Sequence, residues 1–527
     1  MKRTIAILLA LLLALTVLTG CGSTDSENAQ QTPAASTEKN YDPDITKQVT
    51  EWKSGSADGV DYVYAERVVY CTNPKVASKQ CLNIYVPAAY MNTDGTLNES
   101  GACGDYTCKT APILYINSTG AYLGKQPYKI SEASETLAGK NGWYYNYLKQ
   151  GFVLVFSGAR GRADYDKNNN DIATGKAPVG LADLKAGIRF VKANAANLPG
   201  DVNKIISNGM SAGGAMSTLL AVSGNSHEFD SYLEEMGAVM DQTDDVYAAQ
   251  IYCPIIDLEN ADFAYAWMFQ NDTSAKAQEM SDFQKAMGAN MYEAYIDYFN
   301  ALALTVDGVS YELGEDGRSG SFYDFLLEQY GASYSVYAAK NNLSAADAAW
   351  LTYDAASGTT SVSSLEDVVA YHNNRSKVTP SFDSLGLTSS ENGVFGSSTA
   401  SLPDADFVRH FSVPVTEQIA LLQADFPSEY AEYYEAYKHD SDLSEVQEMV
   451  RLYNPYTYLN AGDTDMAQHI RVCVGTQDSD TSPSISATLV LKLRSLGIDT
   501  EYNMIWGLGH TDADYADAFE AWVNSIS

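Results

Sequence analysis

The sequence predicts an α/β fold: a mostly parallel sheet with helices on both faces, interrupted by a large, mainly helical insertion. Three observations predict it. Short continuous apolar runs at 111–117, 151–157 and 469–475 alternate with helix-patterned stretches, and strands that lack polar alternation are buried on both faces, as in a covered parallel sheet. Leu184, Ile188, Val191 and Ala195 recur at helical spacing between two such runs. The pattern stops after about Asp257 and returns only at His469, with a tyrosine-, alanine- and acid-rich stretch between.

In order, residues 62–71 and 82–90 read as strands forming a hairpin, then 111–117 and 151–157 as buried strands. Residues 181–198 read as a helix, and Lys204-Ile205-Ile206-Ser207-Asn208 as a short buried strand. A helix starts near Gly214. Within the insertion, 275–304 and 416–437 are helical and 353–412 is loop-rich. A strand at 469–475, a helix at 484–496, a strand at 500–506 and a helix at 513–526 complete the chain. The core is therefore expected in two parts, 46–256 and 451–527, with residues 257–450 as a lid; no internal repeat is present.

The N-terminus has its own logic. Met1-Lys2-Arg3 precedes an apolar run from Ile5 to Leu18; two charges and a short apolar core describe a secretory signal, too short for a spanning helix. Leu18-Thr19-Gly20-Cys21 looks like a bacterial lipobox. Residues 1–20 are thus expected to be a lipoprotein signal peptide, Cys21 the lipidated first mature residue, and 21–45 a flexible polar tether at the extracellular face of the membrane. The membrane is a partner through Cys21 alone. The formal charge of −34 repels nucleic acid and argues against it as a partner. In an exported chain disulfides form, and Cys71/Cys81 and Cys103/Cys108 are close enough for local bridges, although six cysteines besides Cys21 permit other pairings. Cys253 and Cys473 lie in apolar runs and read as buried free thiols. No spacing of Cys or His suggests a metal, and no cofactor is implied. Asp166-Lys167-Asn168-Asn169-Asn170-Asp171 resembles the start of a calcium loop but lacks its glycine and final glutamate, so a polar turn is expected.

The chemistry centres on Gly209-Met210-Ser211-Ala212-Gly213, a G-x-S-x-G between a strand and a helix. A sharp strand-to-helix turn of this kind lifts a serine hydroxyl clear of the sheet. In the α/β-hydrolase arrangement an acid and then a histidine follow in chain order. Asp478 follows the strand at 469–475, and His510 follows the strand at 500–506. His510 would take the Ser211 proton during attack and return it to the leaving alcohol, while the acid orients the imidazole. Asp480 is the alternative acid. The tetrahedral oxyanion needs backbone donors, one from Ala212 and one from Gly120 or Ala121 in the loop Asn117-Ser118-Thr119-Gly120-Ala121.

From about Tyr62 to the C-terminus the chain resembles bacterial tannases of the subtype that hydrolyses gallate esters. The resemblance rests on Ser157-Gly158-Ala159-Arg160-Gly161-Arg162, residues 198–214, Thr243-Asp244-Asp245-Val246-Tyr247, Tyr252-Cys253-Pro254-Ile255 and residues 382–392. It implies Ser211, Asp478 and His510 as a catalytic triad. It also implies that Lys377, Glu391 and Asp480 bind the three adjacent hydroxyls of a galloyl ring. The expected function is a serine esterase acting on small galloyl esters, with a feruloyl or other aromatic-acyl esterase as the alternative. The chain departs from the family at Ser479, Ala121 and the acidic run Thr511-Asp512-Ala513-Asp514.

Overall fold

Nine strands form one sheet, and its C-terminal edge carries the site. The strands are β1 Lys53–Ala57, β2 Val60–Val69, β3 Cys81–Pro87, β4 Ile113–Asn117, β5 Val153–Ser157, β6 Ile205–Met210, β7 Ala248–Tyr252, β8 His469–Gly475 and β9 Asp499–Ile505. Their order across the sheet is β1-β2-β3-β5-β4-β6-β7-β8-β9. Pairing is antiparallel from β1 to β5 and parallel from β5 through β9. The computed structural model describes residues 41–136, 143–166, 172–396, 411–435 and 444–526. The signal peptide, Cys21, most of the tether and most of the turn at 166–171 lie outside these residues.

The parallel strands β4, β5, β6 and β7 are buried almost throughout, while the edge strand β9 alternates between exposed and buried residues. Helices cover them: α1 Val179–Ala193, α2 Ala212–Val222, and, after the insertion, α8 Pro483–Ser495 and α9 Ala518–Ile526. Within the insertion the elements that matter here are α3 Ala261–Met268, α4 Asp282–Ala301, α5 Ser321–Lys340, α6 Leu365–His372 and α7 Ser390–Phe395.

The differences from expectation have local causes. The folded unit begins at Tyr41, not after residue 45; Ile45 is buried and its N–H donates to Asn194 Oδ1 at 2.8 Å. The helix expected over 275–304 is two helices, because the Ser281 hydroxyl and the Gln284 side chain form a reciprocal capping box that starts a new one. The helix expected over 416–437 breaks before Pro427, and its last two residues lie outside the description. The region 353–412 holds α6 and α7 and is not simply loop. The expected local disulfides are absent: Cys71, Cys81, Cys103 and Cys108 are free, as are Cys253 and Cys473. Their sulfurs serve other contacts: Cys81 Sγ donates to Ser78 O at 3.4 Å, and Cys103 Sγ to Lys149 O at 3.3 Å.

Candidate active site

Ser211 stands between β6 and α2 at φ 60° and ψ −124°. A side chain held there costs roughly 1–3 kcal/mol, so the surroundings must fix it. The Ser211 N–H donates to Tyr252 O at 3.1 Å, and its carbonyl accepts from Ala215 N at 3.0 Å. Glycines allow the crowding. A Cβ on Gly209 would stand 2.2 Å from Gly213 O, and one on Gly213 2.8 Å from Thr119 O. A Cβ on Gly214 would stand 2.4 Å from Tyr252 O.

The histidine reaches both partners. His510 Nε2 lies 2.8 Å from Ser211 Oγ, and His510 Nδ1 lies 2.9 Å from Asp478 Oδ2. Asp478 is 2% exposed, and its Oδ1 accepts the N–H of Asp480 and of Thr481, both at 3.0 Å. The acid-bearing and histidine-bearing loops are joined: Gln477 N donates to Leu508 O at 2.8 Å. Gly475 makes that approach possible, since a Cβ there would stand 2.1 Å from Leu508 O. Asp478, not Asp480, therefore holds the position of the acid.

The electrostatics of His510 have opposing causes. Burial disfavours charge on the ring, while the neighbouring Cys253 sulfur and the Asp478 carboxylate favour it; the net effect lifts its pKa well above the ordinary imidazole range. Burial also pushes the Cys253 thiol upward, and the His510 ring beside it works in the opposite direction. Cys253, Asp478 and His510 are the described cluster whose donor atoms lie close enough to ligate a metal, within 4.8 Å of one another. Both ring nitrogens and the carboxylate already serve the chain of hydrogen bonds to Ser211.

The loop after β4 faces the same serine. Asn117 Nδ2 donates to Asn208 O at 3.1 Å, Gly213 O at 2.9 Å and Ser217 Oγ at 2.9 Å. This one side chain fastens the loop carrying Gly120 and Ala121 to both sides of the serine turn. Ala212 opens α2, where unpaired N–H groups and the helix dipole favour a developing negative charge.

Lys377 and Glu391 come from separate places and meet, and Asp480 is tied to the residue before Lys377. Lys377 Nζ lies 3.7 Å from Glu391 Oε1, and both side chains are largely buried. Asp480 Oδ1 accepts from the hydroxyl of Ser376, the neighbour of Lys377, at 3.2 Å. One face of α3 arranges them. The Tyr265 hydroxyl donates to Ser479 O at 2.6 Å and accepts the N–H of Ser376 and of Lys377, each at 3.3 Å. Three residues earlier, Asp262 accepts the N–H groups of Ser381, Phe382 and Asp383. Asp383 in turn accepts from the side chain of Asn392, beside Glu391, at 3.1 Å. Asp262 and Asp383 are both pushed well above the usual carboxylate range, chiefly by burial, and the Asp383 charge adds to the rise at Asp262. Arg162 links core to insertion. Its Nε donates to Ala121 O at 2.7 Å and its Nη2 to Ser390 Oγ at 3.3 Å.

Asn117, Tyr265, Asp262 and Arg162 have these roles without a sequence signal that announces them. Arg162 had one available: it closes the 157–162 block on which the resemblance rests. The 243–247 block proves structural, with Asp244 holding Lys185 and Arg189 in a buried ion cluster.

A family model described as BD-FAE matches residues 142–298. No curated protein matches the chain by sequence. Among solved structures, the native tannin acyl hydrolase of Lactobacillus plantarum is 30% identical at a TM-score of 0.74, with 90% of this chain and 97% of that one covered. The tannin acyl hydrolase solved in complex with ethyl gallate gives the same figures. The tannase of Fusobacterium nucleatum is 27% identical at a TM-score of 0.74, with 92% of this chain and all of that one covered. With this agreement over nearly the whole length of both chains, and with the serine turn in place on the sheet, the chain belongs to the bacterial tannases, carboxylic ester hydrolases of the α/β-hydrolase fold.

Proposed function

We propose that the protein hydrolyses galloyl esters to gallate and an alcohol or sugar through an acyl-enzyme on Ser211. His510 Nε2 takes the Ser211 proton as Oγ bonds to the ester carbon. The oxyanion is held by the N–H of Ala212 and of Gly120 or Ala121. Collapse breaks the bond to the alcohol oxygen, which receives the proton from His510. Water then attacks the acyl-enzyme by the same route, releasing gallate and free Ser211.

The observation that carries the acyl choice is the meeting of Lys377 and Glu391 at 3.7 Å beside Asp480, on the residues that adjoin Asp478. Three ring hydroxyls in a row suit one cation and two carboxylates. A site built on such polar groups penalises a ring that lacks a hydroxyl, because its own groups lose their partners. A related enzyme has been solved with ethyl gallate and with 3,4-dihydroxybenzoate, which supports the reading.

The test is turnover of methyl gallate by wild type and by Ser211→Ala, beside methyl protocatechuate and methyl ferulate. Wild type is expected to favour gallate and the variant to lose turnover. Equal turnover by the variant, or preference for ferulate, would sink the proposal. We further propose, on sequence alone, that Cys21 anchors the protein by lipid to the extracellular face of the membrane. Cys21→Ser should then move the protein from the membrane fraction to the medium; membrane retention of that variant would refute the anchor.

A further inference from the structure

A cavity of about 230 Å³ adjoins the serine turn, lined among others by Gly120, Lys125, Tyr128, Tyr144, Met210 and Asp512. Each of three walls abuts one part of the reaction centre. Gly120 belongs to the loop facing the oxyanion. Met210 immediately precedes Ser211. Asp512 lies two residues beyond His510. Among the described residues, none from 257–450 lines the cavity, so it is separate from the Lys377 and Glu391 arms of the insertion.

An ester has two halves, and the arms from the insertion are assigned to one of them. The departing alcohol must lie within reach of His510, which protonates it. The cavity is bounded by the loop that carries His510. We propose that it is the subsite for the alcohol half of the ester, and that it takes a polyhydroxylated ring, a sugar. The proposal rests on the placement of the acyl ring against Lys377, Glu391 and Asp480.

The chemistry of the walls selects a polyol. Lys125 Nζ donates to the Tyr128 hydroxyl at 3.2 Å and lies 5.5 Å from the centre of that ring. The same amine would stand 3.8 Å from a Cβ on Gly120, which puts a cation beside the oxyanion loop. Tyr128 is itself fixed, its N–H donating to Ser118 Oγ at 3.2 Å. Asp512, 6% exposed, supplies a carboxylate from the opposite loop, held at Oδ1 by the Thr511 hydroxyl at 2.9 Å. A lysine donates, a carboxylate accepts and a phenol does both, which matches vicinal hydroxyls. The Tyr128 and Tyr144 rings offer apolar faces to the C–H side of a sugar. The volume falls below the roughly 300–1,000 Å³ of sites for larger ligands, leaving room for one ring.

The test compares esters that differ only in the alcohol. kcat/KM is measured for a glucose ester and a methyl ester of gallate, and again for the same pair of acetates, with wild type, Asp512→Asn and Tyr128→Phe. The glucose-to-methyl ratio is expected to fall about tenfold in each variant, the size of one lost hydrogen bond to a charged group. The acyl group cancels in the ratio, so the fall should appear in both series. Wild type that ignores gallate but shows the fall with acetates would defeat the galloyl reading and leave the subsite standing. An unchanged ratio in both variants, or no turnover of glucose esters by wild type, overturns the subsite. Tyr128→Phe keeps the ring, and thermal melting of each variant separates a lost fold from a lost contact.

Discussion

At the scale of single residues, the proposed mechanism makes the pairing of His510 with Asp478 the determinant of both rate and pH response. The neutral imidazole is the base, so a raised pKa means that activity is lost as pH falls through a value above the ordinary imidazole range. The acid limb of kcat/KM should therefore lie on the alkaline side of that range. Asp478→Asn removes one of the two neighbours that favour charge on the ring, the Cys253 sulfur being the other. It should move the limb to lower pH and reduce kcat by about 10⁴-fold, the size seen when a triad carboxylate is made neutral. Asp480→Asn should instead act mainly on KM for gallate esters. A limb that stays in place in Asp478→Asn would show that another group sets it. The hydrogen-bonded arrangement of Ser211, His510 and Asp478 was legible because their order along the chain is a sequence property. Cys253 beside His510 was not: it read only as a buried thiol, and its neighbour lies 257 positions away.

At the scale of elements, α3 organises the segment that carries Lys377 and is proposed to hold the acyl ring. Asp262 and Tyr265, three apart on one face, hold the segment 376–383 through its backbone. Tyr265→Phe deletes one hydroxyl and keeps the packing. It should raise KM for methyl gallate about tenfold, from loss of the three hydrogen bonds to the backbone around Lys377 and Asp480, while kcat/KM for an acetate ester stays near wild type. Equal losses on both esters would mean that Tyr265 supports the fold and not the acyl site. None of this was visible in the sequence, because backbone N–H groups have no residue code. Lys377 and Glu391 were named only through family resemblance. Strands show the same divide. β8 was read at its observed bounds from its unbroken apolar run. β7, Ala-Ala-Gln-Ile-Tyr, was not read at all, although every residue in it is buried; small residues and a glutamine give no apolar signal. β1, Lys-Ser-Gly-Ser-Ala, has little burial of its own and exists as an edge by pairing with β2.

At the scale of the whole molecule, the folded unit from Tyr41 onward is held by packing and hydrogen bonds, with its six cysteines reduced. The melting temperature should therefore be the same with and without a thiol reductant. A drop of more than about 4 °C, about 4 kcal/mol in a folded unit of this size, would show that a disulfide forms in solution. The proximity of Cys71 to Cys81 and of Cys103 to Cys108 along the chain pointed to bridges, but closeness in sequence does not set where sulfurs point. The return of the sheet at β8 and β9 after a long stretch outside it was legible, since it needs only the loss and return of one pattern. The joints between the parts, such as Arg162 between Ala121 and Ser390, were not.

The short loop from Gln477 to Thr481 has a consequence for redesign. On the proposed reading Asp478 acts in turnover and Asp480 in acyl choice, and Asp478 Oδ1 accepts the backbone N–H of Asp480. That link runs through the Asp480 backbone, so a side-chain change at Asp480 leaves Asp478 its partner, whereas a change that moves the loop backbone touches both. Lys377 and Glu391 sit on other segments. Laboratory selection for a different acyl group would find its productive changes in these three side chains first, with the backbone of the loop among the last features to vary.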